Sequence, residues 1–392
     1  MATGTSGGLL DDPEGHAQSV LKHAILRQYM LPFVAMVGST SSRGRMVVLD
    51  GYAGRGRYRS GEPGSAELIL RVIKNFRYSR QVLAYFVEKE PKDFVALAAV
   101  VSEYARQGIF AKALPGAVED HLDAVIAAAD GYPLFLFLDP CGAVVPFDRL
   151  AAVLAGQRRL RRPQTEALLN FSAGLSRRAA GVLRAGRVDD PIIAKMDVTC
   201  GGQWWRATAL QALRSSATGN FEQVATAVAE QYAERLARAG SMMAVTVPVG
   251  RRINRQLIFH LVFMTRSTYG LWVFADALAR ARQAWLRAVG DAVGDAGGTL
   301  FTAADYMNQQ IDAELEQHTK IVAANLREIA GRKVAFKLVE HARAVFGEAY
   351  GVATEAVVSQ VVSGLVSKGE LVVYGKAKRF RDCYVGRPRR SS

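Results

Sequence analysis

The stretch 46–56, MVVLDGYAGRG, decides how the rest of the chain is read. Its first four residues are apolar without alternation, the pattern of a strand buried on both faces. Asp50 closes that strand, and a turn carrying Gly54 and Gly56 follows at once. Glycine lets a backbone turn tightly and come close to a ligand. In doubly wound α/β folds, nucleotides bind at the turn that follows the first strand. The spacing D-x-x-A-G-x-G is not the G-x-G-x-x-G of dinucleotide enzymes, and an acid at the strand end suits a cationic amino group.

Working outward, the same grammar recurs. QVLAYFVE (81–88), PLFLFLD (133–139) and EALLNFS (166–172) read as apolar strands, with IFAKAL as a shorter candidate. Between them DFVALAAVVSEYARQ and HLDAVIAAA have helical spacing. Strands alternating with helices predict an α/β, Rossmann-like doubly wound sheet. A helix precedes the first strand, with apolar positions from Val20 to about Met36. Residues 1–17, rich in Gly, Ser, Thr and Asp, read as a flexible tail. The Arg-, Ala- and Gln-rich segment from about 176 to 245, with Trp204 and Trp205, reads as a helical insertion. QLIFHLVFMT (256–265) returns to strand composition, a long amphipathic helix follows, and the glycine-rich GDAVGDAGGT marks a boundary near residue 298.

Residues 316–386 read as a second domain. IVAANLREIA, VAFKLVEHARAVF and TEAVVSQVVSGLV are three helix candidates, the last with Thr354 as its N-cap. ELVVYG, a basic turn and RDCYVG then make a two-stranded hairpin, which together predict a winged helix. Residues 387–392 form a basic tail.

Three strand-end acids are the candidate chemistry. Besides Asp50, Glu88 ends the second strand, where an acid can accept both hydroxyls of a ribose, and Glu90 is its rival two residues on. Glu119 and Asp120 follow the third strand, within reach of an adenine ring, although an acidic pair also suits a helix start. Asp139-Pro140 ends the fourth strand, placing a carboxylate and backbone carbonyls over a reaction centre. Such a group can hold an exocyclic NH2 by hydrogen bonds and align its lone pair toward a methyl. Amino-methyltransferases usually carry Asp-Pro-Pro and then an aromatic; this chain has Cys141 and Gly142, leaving Phe147 or Phe171 as the stacking face.

The 392 residues carry 50 Lys and Arg against 36 Asp and Glu, a formal charge of +14. That balance favours polyanions, and the excess concentrates after residue 155, in the insertion and the C-terminal hairpin and tail. Lys376, Lys378, Arg379 and Arg381 lie on the hairpin where a winged helix touches phosphates. Further clusters stand at Arg158/Arg159/Arg161/Arg162, Arg177/Arg178 and Arg251/Arg252/Arg255, with Arg387, Arg389 and Arg390 in the tail. The six histidines lack metal-ligand spacing, and Cys141, Cys200 and Cys383 are too scattered for a zinc knuckle or a disulfide framework. No apolar run reaches the roughly 18 residues of a membrane span, and the N-terminus lacks a signal-peptide pattern. The expectation is a soluble cytoplasmic protein with no membrane partner.

The string KHAILRQYM, then VVLDGYAGRGRYRSGEPGSAELIL, YFVEKEP, FLFLDPCGAVVPF, EALLNFS, GGQWWR and LIFHLVFMTRSTYGL, resembles the three-Cys-motif partner protein family. The resemblance spans most of the chain. It implies a class I fold with S-adenosylmethionine as cofactor, similar to a ribosomal RNA adenine-N6 methyltransferase. By that resemblance Lys22 and His23 lie near the methyl-donor pocket, Asp50, Gly54 and Gly56 line it, Glu88 takes the ribose, and Asp139 and Pro140 face the target amine; Tyr52 in the loop and Glu119 after the third strand complete the candidate cofactor-binding set. It also implies a partner encoded by a neighbouring gene that carries the three-Cys motif. The expected activity is methylation of an amino group of a nucleic acid base, DNA or RNA. The alternatives are a catalytically silent adaptor binding nucleic acid or a partner protein, and a methyltransferase modifying a peptide or protein from its gene neighbourhood.

Overall fold

A computed structural model describes residues 13–140, 142, 145–159, 162–215, 220–250, 257–294 and 303–388. The chain divides into two compact units, one built on Phe33–Arg266 and the other combining Ser19–Pro32 with Ser267–Ser392.

The first unit is a mixed α/β domain. Its strands are β1 (Arg45–Asp50), β2 (Gln81–Glu88), β3 (Ala111–Pro115), β4 (Leu134–Leu138), β5 (Thr165–Ser172), β6 (Met243–Gly250) and β7 (Leu257–Thr265). They form a seven-stranded sheet in the order β3-β2-β1-β4-β5-β7-β6. β1 to β5 are mutually parallel, while β7 runs antiparallel to both β5 and β6. Five consecutive apolar residues make β4, all buried, because helices cover both faces of a parallel sheet. The covering helices are α2 (Ser65–Asn75), α3 (Pro91–Ala105), α4 (Val118–Ala128) and α5 (Phe147–Leu154). The segment read as an insertion is α6 (Ala173–Arg184), α7 (Pro191–Cys200), α8 (Trp204–Ser215) and α9 (Phe221–Ala239). Its last residues differ from that reading: from Met243 the chain is already β6, an edge strand that pairs with β7.

Two boundaries also differ. α1 (Pro13–Gly38) takes up residues 13–17, read as tail, and proline suits a first helical turn because its missing N–H would have no partner there. α10 (Thr268–Gly294), read as the end of the α/β domain, belongs to the second unit. Its Phe274 meets Tyr29 of α1 edge to face at 5.4 Å, within that unit.

The second unit continues with α11 (Ala303–Arg332), β8 (Ala335–Lys337), α12 (Ala342–Phe346), α13 (Glu355–Ser367), β9 (Val372–Tyr374) and β10 (Tyr384–Gly386). The three strands form an antiparallel sheet in the order β8-β10-β9. VAFKLVEHARAVF, read as one helix, is instead a short strand, a 3₁₀ turn and a single α-helical turn. Pairing of Phe336 with Val385 overrides the local helical spacing. The Thr354 hydroxyl caps α13 by accepting from Val357 N–H. Among the described residues no helix is long and apolar enough to cross a membrane.

Candidate functional site

The strand register brings the acids together. Asp50 is level with Phe86 of β2 and Phe137 of β4, so Glu88 and Asp139 each stand two residues beyond it. All three therefore rise from one edge of adjacent strands, and the charges of Asp139 and Glu88 both act on Asp50.

Asp50 itself is fully enclosed. Its Oδ2 accepts from Ser65 Oγ at 2.6 Å and its Oδ1 from Tyr52 N–H at 3.2 Å. Burial pushes the carboxyl up to about 7, the two hydrogen bonds work against that, and its acidic neighbours add to it. The sequence reading puts Asp50 on the ligand; in the structure its oxygens hold Tyr52 at the start of the loop and Ser65 at the start of α2.

The loop is pinned from both ends. Gly51 N–H donates to Phe137 O and Ala53 N–H to Val87 O, fastening the turn to β4 and β2. A Cβ on Gly51 would stand 2.5 Å from Leu138 Cδ2 and 2.9 Å from Val118 Cγ2, so a larger residue fits only if those side chains shift. Gly54, at φ +57°, has no atom within 4 Å of where a Cβ would lie and opens onto free space. Gly56, at φ +76°, differs: its missing side chain leaves room for Leu97 of α3. Of Gly51, Gly54 and Gly56, it is Gly54 that has the clearance for a ligand's close approach.

Charged residues absent from the sequence reading secure the far side. Glu67 on α2 is buried, and Arg57 grips it with two hydrogen bonds of 2.6 and 2.9 Å. Arg71 and the Tyr104 hydroxyl donate to it as well, and Arg57 also reaches Glu103. Burial works to raise the Glu67 carboxyl, but the guanidiniums override it and hold it below the usual range.

Tyr52 is half-buried against the core beside Glu119. Burial and the Glu119 charge raise its phenol, and Val145 N–H bonds to it, tying the glycine loop to the loop after β4. Glu88 Oε1 accepts from Glu90 N–H at 2.7 Å, which fixes the carboxylate at the strand end and leaves Glu90 supporting it through the backbone. Asp120 accepts from Ala117 N–H, the helix-start role weighed for that acidic pair. Asp139 is half-buried, Pro140 is buried, and Asn170 of β5 donates through Nδ2 to Asp139 Oδ1 at 2.6 Å. Sequence reading missed Asn170, although a lone amide inside EALLNFS was a visible signal.

Of the two stacking candidates, Phe171 is buried and packs on Tyr232 at 4.6 Å. Phe147 is partly buried, wedged against Gly201 and edge-on to Tyr232. Cys141 lies outside the described residues, and Cys200 and Cys383 are free thiols. Among the described residues no group of His, Cys, Asp or Glu is arranged to hold a metal ion.

Lys22 and His23 are half-buried on the part of α1 that belongs to the second unit, whereas the three acids belong to the first. On the β9–β10 connection Lys376, Lys378 and Arg379 are exposed. Arg381 departs from the prediction: it turns inward to Glu355 at 3.0 Å, and Glu355 also accepts from Trp272 Nε1 at 2.8 Å. The clusters nearer the sheet divide similarly. Arg158 is buried and donates to Tyr132 O, Arg177 binds Glu222 at 2.8 Å, and Arg178 is exposed. Arg161, Arg251, Arg252, Arg255, Arg389 and Arg390 lie outside the described residues.

No protein-family model and no curated protein matches the chain. Among solved structures it is similar to one described as the small RNA methyltransferase HEN1, at 11% identity and a TM-score of 0.28. The alignment covers 62% of this chain and 26% of that one, so it spans about a quarter of that protein. A likeness of that size decides neither family nor chemistry.

Proposed function

We propose that the chain is an S-adenosylmethionine-dependent methyltransferase acting on an amino group, most plainly that of a nucleic acid base. One observation carries this reading: Asp50, Glu88 and Asp139 converge on one edge of β2, β1 and β4 beside the glycine turn. An acidic edge favours a cationic ligand, and the open side of Gly54 leaves room for one. The residues fit the methyl donor on both counts. When bound, S-adenosylmethionine supplies an electrophilic methyl on a sulfonium. Glu88 would hold the ribose hydroxyls and Glu119 would flank the adenine, while Asp139 and the Pro140 carbonyl hold the N–H groups of the acceptor amine. Holding that amine aligned does most of the work, so no strong base is required.

The helices and antiparallel strands of the second unit support a winged-helix reading, and exposed Lys376, Lys378 and Arg379 support nucleic acid as the acceptor. Membership of the three-Cys-motif partner family, with a partner from a neighbouring gene, belongs to the same proposal.

Calorimetry with S-adenosylmethionine tests the first step, and tritiated methyl transfer into DNA or RNA tests the second. Binding that weakens in Asp50→Ala, with transfer abolished by Asp139→Ala, is the expected result. No binding by the wild-type chain would sink the proposal. A second reading, a methyltransferase-like adaptor without turnover, draws on the enclosure of Asp50 and on Cys141-Gly142 after Asp139-Pro140. Donor binding with no methyl transfer to nucleic acid would favour it.

A further inference from the structure

β5 lies between β4 and β7, and its residues 167–171 are buried. Asn170 is the one amide in that run, level with Leu261 of β7 and only 6% exposed. A buried amide is unfavourable unless it is hydrogen-bonded. Its Nδ2 donates to Asp139 Oδ1 at 2.6 Å, while no donor among the described residues reaches its Oδ1. The amide is thus half satisfied, a poor arrangement for stability alone. The contact crosses from β5 to the residue that follows β4, so it fixes a carboxylate at the mouth of the sheet from a rigid strand. An amide also suits this task because it donates without carrying charge or competing for the carboxylate's proton.

We infer that Asn170 is a positioning residue for methyl transfer, holding the Asp139 carboxylate in the rotation that receives the acceptor amine. The inference rests on the methyltransferase reading and adds a residue to it. Displacing an aligning group by about 1 Å can cost on the order of 100-fold in rate, so the effect belongs in turnover and not in donor affinity.

The test uses the full chain with Asn170→Leu and Asn170→Asp. The leucine variant matches the apolar character of its neighbours; the aspartate variant keeps the size and removes the donor. Expected are a kcat at least about 10-fold lower in both, an unchanged KM for S-adenosylmethionine, and an undiminished melting temperature in Asn170→Leu. A purely structural residue would give the reverse, a lower melting temperature with wild-type turnover, and that result overturns the inference. A second readout needs no activity. With selective 15N-asparagine labelling, the Asn170 side-chain amide resonance, assigned by its loss in Asn170→Leu, should move on Asp139→Asn. A resonance that does not move removes the contact and the inference with it. A wild-type chain that transfers no methyl while the resonance still moves overturns the reaction, and with it the part given to Asn170, but leaves the contact intact.

Discussion

The glycine loop of the first unit and the β9–β10 hairpin of the second both gather charge into a short segment, and they treat it in opposite ways. Around the loop the two acids Asp50 and Glu67 are buried and the charges answer one another: Glu67 is held by Arg57 and Arg71, and Arg55 pairs with Asp93 at 3.3 Å. In the hairpin Lys376, Lys378 and Arg379 face water, and Arg381 alone of the four turns inward. Enclosed charge sets local geometry and proton affinity, whereas outward charge acts at a distance and yields to salt. A run of like residues in the sequence does not distinguish these cases.

The comparison breaks most visibly at Glu67. Glu67→Leu strands two guanidiniums, but both are partly exposed, at 35% and 53%, and can take up water. The expected loss is therefore about 2 kcal/mol, below the cost of breaking a fully buried pair, and a denaturant midpoint would measure it. An unchanged midpoint would mean that the loop does not depend on its enclosed charges.

Asp50 gives the next effect, and its sign is distinctive. Its carboxyl sits near 7 in the folded protein against an ordinary value of 3.8, so between those values the folded state binds more protons than the unfolded one. Its contribution to stability is then present at acid pH and declines as the pH rises from about 4 to 7. Asp50→Asn keeps an acceptor for Tyr52 N–H and should remove that decline, equalling or exceeding wild type above pH 7, while weakening the binding of a cationic ligand. Melting curves across that range would reveal it. His260 is the counterweight: burial, then the charge of Arg177, lower its imidazole to about 4, so its contribution falls as the pH drops from 6.5 to 4. The Asp50 effect is therefore read as a difference between variant and wild type.

The hairpin gives the smallest effects. Arg381→Ala should lower stability by about 1 kcal/mol through loss of the Glu355 pair and leave the salt dependence of nucleic acid binding unchanged. Lys378→Ala should leave stability unchanged and make the fall of log affinity with log salt shallower by about 0.9, the share of one duplex phosphate neutralised by one lysine. Equal slopes for the two variants would erase the distinction between inward and outward charge.

Most of the sheet was legible because buried parallel strands announce themselves as unbroken apolar runs, and 81–88 was read with the bounds that β2 has. β8 was not legible, since three residues are too few to show a period and their pairing partner lies near residue 385. Within the site, strand-end position revealed Asp50, Glu88 and Asp139. It could not reveal that Ser65 caps Asp50, that Asn170 holds Asp139 from 31 residues away, or that Arg381 is drawn to Glu355. Those facts depend on remote partners, which local spacing does not encode.

α1 bears on how the molecule can be taken apart. Its residues 19–32 belong to the second unit and those from Phe33 to the first, with Pro32, which lacks the N–H of a helix-interior residue, at the change. The chain therefore passes from one unit to the other three times, at 18/19, at 32/33 and again at 266/267. A fragment beginning at Ser267 would lack Tyr29, which packs on Phe274, and would leave an apolar face uncovered. Domain dissection by simple truncation should then yield an unstable C-terminal piece, and a soluble one would need the 19–32 segment fused back by circular permutation.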